Sequence, residues 1–148
     1  MNKQFFEKVL PTQGNICVVG IKDKSVKPRF VDDIDSAIVQ MVNFDKDNYN
    51  TFFALGTFEG YERKAAGCIF MRAFFVDLDC GEGKPYAEWE DGLIALHKFV
   101  DNTDLPTPII VNSGRGIHAY WPFDDEVPAE DWKPYAEKFK AFCLDNDL

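Results

Sequence analysis

Two periods of apolar residues run through the chain. Residues 15–21 (Asn-Ile-Cys-Val-Val-Gly-Ile) are almost wholly apolar and rich in β-branched side chains, which predicts a buried strand. Over 32–44 the period changes: Ile34, Ala37, Ile38, Met41 and Val42 fall at i, i+3, i+4, i+7 and i+8, one stripe of an amphipathic helix. Residues 50–57, centred on Phe52-Phe53-Ala54-Leu55, predict a second strand, and a polar connection carrying Arg63 and Lys64 follows. This first part, 1–70, is expected to be a β-α-β lobe.

The second half is more sharply marked. Residues 73–79 (Ala-Phe-Phe-Val-Asp-Leu-Asp) predict a strand closed by the turn-forming run Gly81-Glu82-Gly83-Lys84-Pro85. Trp89, Leu93, Leu96 and Val100 lie at helical spacing within 86–101. Pro106 and Pro108 precede the apolar run Ile109-Ile110-Val111, Ser113-Gly114-Arg115-Gly116 predicts a hairpin turn, and 117–123 the returning strand. Trp132, Tyr135, Ala136, Phe139, Phe142 and Cys143 make a last helical stripe, which places Pro134 in that helix's first turn, where proline is tolerated. The fold class expected is α+β: the N-terminal β-α-β lobe, then a split β-α-β unit over 71–148. Such a unit normally closes with one more strand, so the chain is expected to be truncated at its C-terminal side.

Composition narrows the function classes. The chain has 148 residues, 46% hydrophobic and 15% aromatic, enough for one well-cored domain or two small lobes. No apolar run reaches the ~18 residues of a membrane span, and Met1 to Val9 lacks a secretory hydrophobic region, so a cytoplasmic setting and no membrane partner are expected. Cys17, Cys68, Cys80 and Cys143 are scattered with no Cys-x-x-Cys pair, which points to free thiols. The net charge of −9 argues against tight nonspecific duplex binding; nucleic-acid contact has to be local or metal-bridged.

Candidate chemistry sits in two places. Alternation along 74–79 puts Asp77 and Asp79 on one strand face and Phe74, Val76 and Leu78 on the other. Two carboxylates ~5 Å apart repel by roughly 3 kcal/mol at an effective dielectric near 20, a repulsion that a divalent cation with oxygen ligands converts into attraction. The second place is Ser113-Gly114-Arg115-Gly116-Ile117-His118. Its glycines let backbone N–H groups approach an anion, Arg115 offers a planar fork for phosphate oxygens, and Ser113 adds a hydroxyl. With Ile117, Ala119 and Trp121 turned to the core, His118 and Tyr120 share the opposite face. Taken singly, two solvated strand-end acids and an ordinary glycine-rich hairpin are the plain alternatives. Together they suit nucleoside-triphosphate chemistry, in which metal bridges the phosphates and the protein positions and neutralises charge.

Phe75-Val76-Asp77-Leu78-Asp79, followed further on by Ser113-Gly114-Arg115-Gly116-Ile117-His118, resembles the first two motifs of archaeo-eukaryotic primases and primase-polymerases, most closely those of phage and plasmid replication proteins. Lys84-Pro85-Tyr86, Leu105-Pro106-Thr107-Pro108, Tyr120-Trp121 and Trp132 agree as flanks, and the resemblance covers about 50–148. It implies an RRM-like palm over 71–148 and a DNA-dependent nucleotidyltransferase (primase or DNA polymerase) of DNA replication. Asp77 and Asp79 would bind catalytic Mg2+ or Mn2+, without zinc, and Ser113, Gly114, Arg115, Gly116 and His118 would hold the nucleotide's triphosphate. The implied partners are nucleoside triphosphates, a single-stranded DNA template bound weakly or locally, and a helicase of the same protein or replicon. The family's third motif, an acidic residue on a later strand, has no counterpart before Leu148, and Asp145 and Asp147 fall at a helix end; turnover by this chain alone is therefore in doubt.

Competing readings have specific weaknesses. A haloacid-dehalogenase-type phosphohydrolase, with Asp77 as nucleophile and Asp79 as acid/base, expects a Thr or Val after an Asp-x-Asp-Gly run, whereas Cys80 intervenes before Gly81, and it expects alternating β-α units. A nucleotide cyclase does not call for Ser-Gly-Arg-Gly-x-His. A rolling-circle endonuclease needs a His-x-His pair, and the histidines are His97 and His118. A replication-initiator or nucleotide-binding module without turnover keeps the fold and both motifs. Zinc on Cys68, Cys80 and His97 lacks ligand spacing; His97, Lys84, Arg63 and Lys64 read as surface residues, and Tyr120 as either a base-stacking ring or a half-buried one.

Overall fold

The computed structural model describes residues 2–148. In chain order the elements are α1 (Lys3–Val9), β1 (Asn15–Lys22), β2 (Ser25–Val31), α2 (Ile34–Lys46), β3 (Asn50–Phe58), β4 (Cys68–Asp79), α3 (Trp89–Thr103), β5 (Ile109–Asn112), β6 (Gly116–Pro128) and α4 (Ala129–Asp145). The fold is α+β, with a six-stranded antiparallel sheet hydrogen-bonded in the order β2-β1-β3-β4-β6-β5. No described helix is long and apolar enough to cross a membrane. The chain divides into two compact units: one runs to Arg72 and takes up Phe123–Trp132, the other comprises Ala73–Pro122 and Lys133–Leu148.

In the first unit β1 pairs with β2 on one side and β3 on the other, antiparallel to both. β2 and β3 are therefore parallel to each other, joined by the α2 crossover, with β1 between them. Asp33 caps α2, accepting from the Ser36 N–H at 2.8 Å, and Ala37, Met41 and Phe44 are its buried face. The stripe expected from the sequence is rotated here: Phe44 packs over the backbone of Gly20, where a Cβ would lie 2.4 Å from its ring, while Val42 is exposed. α1 adds Phe5 and Phe6, whose rings meet Phe53 at 6.1 and 5.3 Å. Arg72 donates to the carbonyls of Glu7, Phe123 and Asp124, and Glu126 accepts from the Thr12 hydroxyl and from the N–H groups of Thr12 and Gln13, which ties 123–132 into this unit.

In the second unit α3 connects 73–79 of β4 to β5, and β6 turns back to lie between the two. This is a split β-α-β. Its core gathers Leu78, Leu96, Phe99, Ile117, Ala119, Trp121 and Cys143, with Phe74, Val76, Leu93, Val100 and Phe139 packed around them. α3 has Glu88 as N-cap residue, whose N–H donates to Asp91 at 3.2 Å, and it comes close to the strands because Gly92 faces the Cys80 sulfur and Ile117 without a side chain.

Two elements join those expected, and one expectation is corrected. Ser25–Val31 is an edge strand and Lys3–Val9 a short helix. Pro134 lies beyond the first turn of α4, because the helix starts at Ala129. Its ring therefore removes a backbone donor inside the helix.

Candidate functional site

β4 alternates as its sequence requires. Phe74, Val76 and Leu78 enter the core of the second unit, and Phe75, Asp77 and Asp79 are exposed on the opposite side. β6 repeats the pattern: Ile117, Ala119 and Trp121 enter the same core, which turns His118 and Tyr120 to the face that carries Asp77. His118 Nε2 lies 3.5 Å from Asp77 Oδ1, with 30% and 47% of the two side chains exposed. The Phe75 ring meets His118 edge to face at 5.1 Å and lies tilted against Tyr120 at 5.0 Å. Tyr120 is only 5% exposed. Burial, and secondarily the charge of Asp77, push its hydroxyl pKa up to about 12. It is a supporting ring under this face, and a base could not stack on it.

The hairpin turn is fixed to the end of β4 by its backbone. The Cys80 N–H donates to the Arg115 carbonyl at 3.0 Å. Gly116 is pressed so closely on the strand that a Cβ would stand 2.1 Å from the Leu78 carbonyl oxygen. That contact explains the glycine: no side chain fits between the two strands there. Gly114 is needed for another reason, its φ of +84°.

The turn's own N–H groups are partly committed, which changes the expected anion grip. Ser113 N–H donates to the Gly116 carbonyl at 3.1 Å and Gly114 N–H to the Asn112 side chain at 2.8 Å. Asn112 is thus a brace that sequence reasoning passed over, although an Asn two residues before a turn glycine is the usual signal of such a side-chain bond. The groups left open to an anion here are the exposed side chains of Arg115 and Ser113, and the half-buried His118.

The local field suits a cation beside the acids. The Cys80 thiol is held above its ordinary pKa, first by burial and then by the charges of Asp79, Asp91 and Asp77. Asp77 and Asp79 offer hard oxygen donors from one strand face. They fit a Mg2+ or Mn2+ ion held by one or two carboxylates, with water and substrate phosphates completing its shell. Among the described residues no three His, Cys, Asp or Glu side chains gather as a protein-only metal cage.

The remaining candidates are not brought to this face by any contact. His97, Lys84, Arg63 and Lys64 are exposed, Lys64 pairing with Glu62 at 3.4 Å. All four cysteines are free thiols, Cys17 and Cys143 buried. Asp145 ends α4 and Asp147 follows it at φ +64°. Comparison with protein-family models, with characterised proteins and with solved structures finds no match for this chain.

Proposed function

We propose that the chain is a nucleotidyltransferase module of an intracellular replication protein, of the primase-polymerase type, acting on nucleoside triphosphates over a single-stranded DNA template. The observation that carries the reading is the pairing of His118 with Asp77 at 3.5 Å beside a turn whose Arg115 carbonyl is bonded to Cys80, next to Asp79. An acid pair and a glycine-rich turn carrying Arg115, far apart in sequence, are thereby adjacent in one unit.

A divalent metal bound at Asp77 and Asp79 would neutralise phosphate charge and activate the attacking 3′-hydroxyl. The chain's own residues supply the positioning. Arg115 forks onto phosphate oxygens, Ser113 donates its hydroxyl, and His118 presents an N–H to a phosphate while its ring is held by Phe75 and Asp77. The net charge of −9 assigns template contact to local groups.

The test is calorimetric binding of dNTP and NTP in Mn2+, together with nucleotide incorporation on a primed single-stranded template. Asp77→Ala and Asp79→Ala are expected to abolish incorporation and to weaken metal-dependent nucleotide binding at least tenfold. Unchanged behaviour in both variants would refute the reading. Metal-dependent binding with no incorporation by the unaltered chain would leave the nucleotide site standing and favour, as the lack of a third acid already does, a nucleotide-binding replication module without turnover.

A further inference from the structure

We propose that Phe75 is the platform for the nucleoside end of the bound nucleotide, and that it holds the base without selecting among bases. This rests on the reading of the Asp77–Asp79 face as a triphosphate site. The outward row of β4 is Phe75, Asp77, Asp79, so one large apolar ring stands in line with two acids. Successive outward residues on a strand are about 6.8 Å apart, so Phe75 lies roughly 7 Å behind Asp77, away from the end that carries Asp79. The turn with Arg115 is bonded to Cys80, immediately beyond Asp79. Asp79 and the Arg115 turn therefore occupy one end of the row, Asp77 with His118 its middle, and the Phe75 ring the other end. A ligand that lies along it carries its anionic part at one end and a flat apolar part at the other, which describes a nucleoside triphosphate.

The ring is available for this. Phe75 is 40% exposed, whereas Phe74 and Val76 on either side of it pack against the core. Its contacts with His118 and Tyr120 keep it in place. Both neighbours are aromatic and Tyr120 is buried, so the ring has a firm backing. An exposed aromatic ring on an open sheet face binds bases through their π-faces, and a phenyl group has no hydrogen-bonding atom with which to tell one base from another.

The experiment measures equilibrium binding of ATP, GTP, CTP and UTP, and of inorganic tripolyphosphate, in Mn2+. The unaltered chain is compared with Phe75→Ala, Phe75→Leu and Phe75→Tyr, each checked for an unchanged far-ultraviolet circular dichroism spectrum. Phe75→Ala is expected to weaken all four nucleotides by about tenfold, in line with alanine substitutions at stacking aromatics. Phe75→Leu should recover little of that loss and Phe75→Tyr most of it, with tripolyphosphate affinity unchanged throughout. An equal loss for tripolyphosphate overturns the proposal, because Phe75 would then act only by holding His118. A loss confined to one base overturns it, as does no loss at all while both ligand types bind. If the unaltered chain binds neither nucleotide nor tripolyphosphate, the triphosphate site itself falls and this inference with it.

Discussion

Replacing Gly116 by alanine tests whether the turn must touch β4. The added Cβ would lie 2.1 Å from the Leu78 carbonyl oxygen, 3.1 Å from its carbonyl carbon and 3.2 Å from the Asp79 Cα. All three are backbone atoms, so no side-chain rotation relieves the clash, and the turn has to retreat by about 1 Å to reach an ordinary contact distance. Overpacking of this kind costs about 1–3 kcal/mol. Weakening the Cys80–Arg115 hydrogen bond adds about 0.5–1.5 kcal/mol. With roughly 2–4 °C lost per kcal/mol at this chain length, the melting temperature should fall by about 5–15 °C. Gly114→Ala is the control: its Cβ meets nothing within 4 Å, and only the φ of +84° opposes it. That strain is about 1–2 kcal/mol, a fall of roughly 2–8 °C. Thermal unfolding by circular dichroism ranks the two variants, and hydrogen exchange reads the Cys80 amide directly. A Gly116→Ala protein that melts within 2 °C or so of the unaltered chain, with the Cys80 amide still protected, would refute the close approach and with it the placement of Arg115.

Other outcomes follow from single residues. Phe99→Ala should cost about 3–5 kcal/mol, because the ring is 1% exposed at the centre of the second unit's core, and chemical denaturation measures it. Burial alone would raise the Glu126 pKa, but hydrogen bonds from Thr12 and Gln13 and the charge of Arg72 outweigh it and hold it below the usual carboxylate range. Its contribution to stability is therefore present above the unfolded carboxylate pKa near ~4.3 and is lost as pH falls through the lower folded value. The melting-temperature gap between the unaltered protein and Glu126→Gln should close as pH drops below about 4. Tyr120, raised to about 12, favours folding below the unfolded value near ~10, with the benefit lost as pH climbs toward 12. Tyr120→Phe should remove the ionisation step near pH 12 from an ultraviolet titration.

The strands and helices that bury a regular face were legible in the sequence, because burial imposes a period. β1, α2, β3, α3, β5 and α4 follow from their apolar residues to within a few positions. β2 was passed over: its polar–apolar alternation over 25–30 buries no full face, since Val26 is exposed like its polar neighbours, and pairing, which reads Cys17 to Phe30 and Val19 to Pro28, defines it. β4 and β6 extend beyond their predicted limits for a similar reason, since hydrogen bonding continues where the alternation weakens. At the candidate site, alternation alone put Asp77 and His118 on one face. It could not show that Gly114 N–H is taken by Asn112, or that Tyr120 is covered, because both depend on neighbours set by the turn's conformation.

Topology explains why two distant motifs meet. β6 lies between β4 and β5, antiparallel to both, so β4 and β5 run the same way and their carboxyl ends lie on the same side of the unit. Asp77 and Asp79 end β4, and Ser113-Gly114-Arg115-Gly116 leaves the end of β5. Because β6 is the strand next to β4, the second half of that turn must start beside the acids, which is where Gly116 sits. The first unit uses the same split crossover with the hairpin placed before the helix instead of after it. Its turn, at Asp23 and Lys24, therefore lies at the amino ends of the parallel pair β2 and β3. Ligands of crossover-connected sheets favour the carboxyl ends. In the second unit the hairpin turn lies there together with an acid pair on an open face, and this difference in connection order favours 73–122 over the first unit's hairpin for the proposed chemistry.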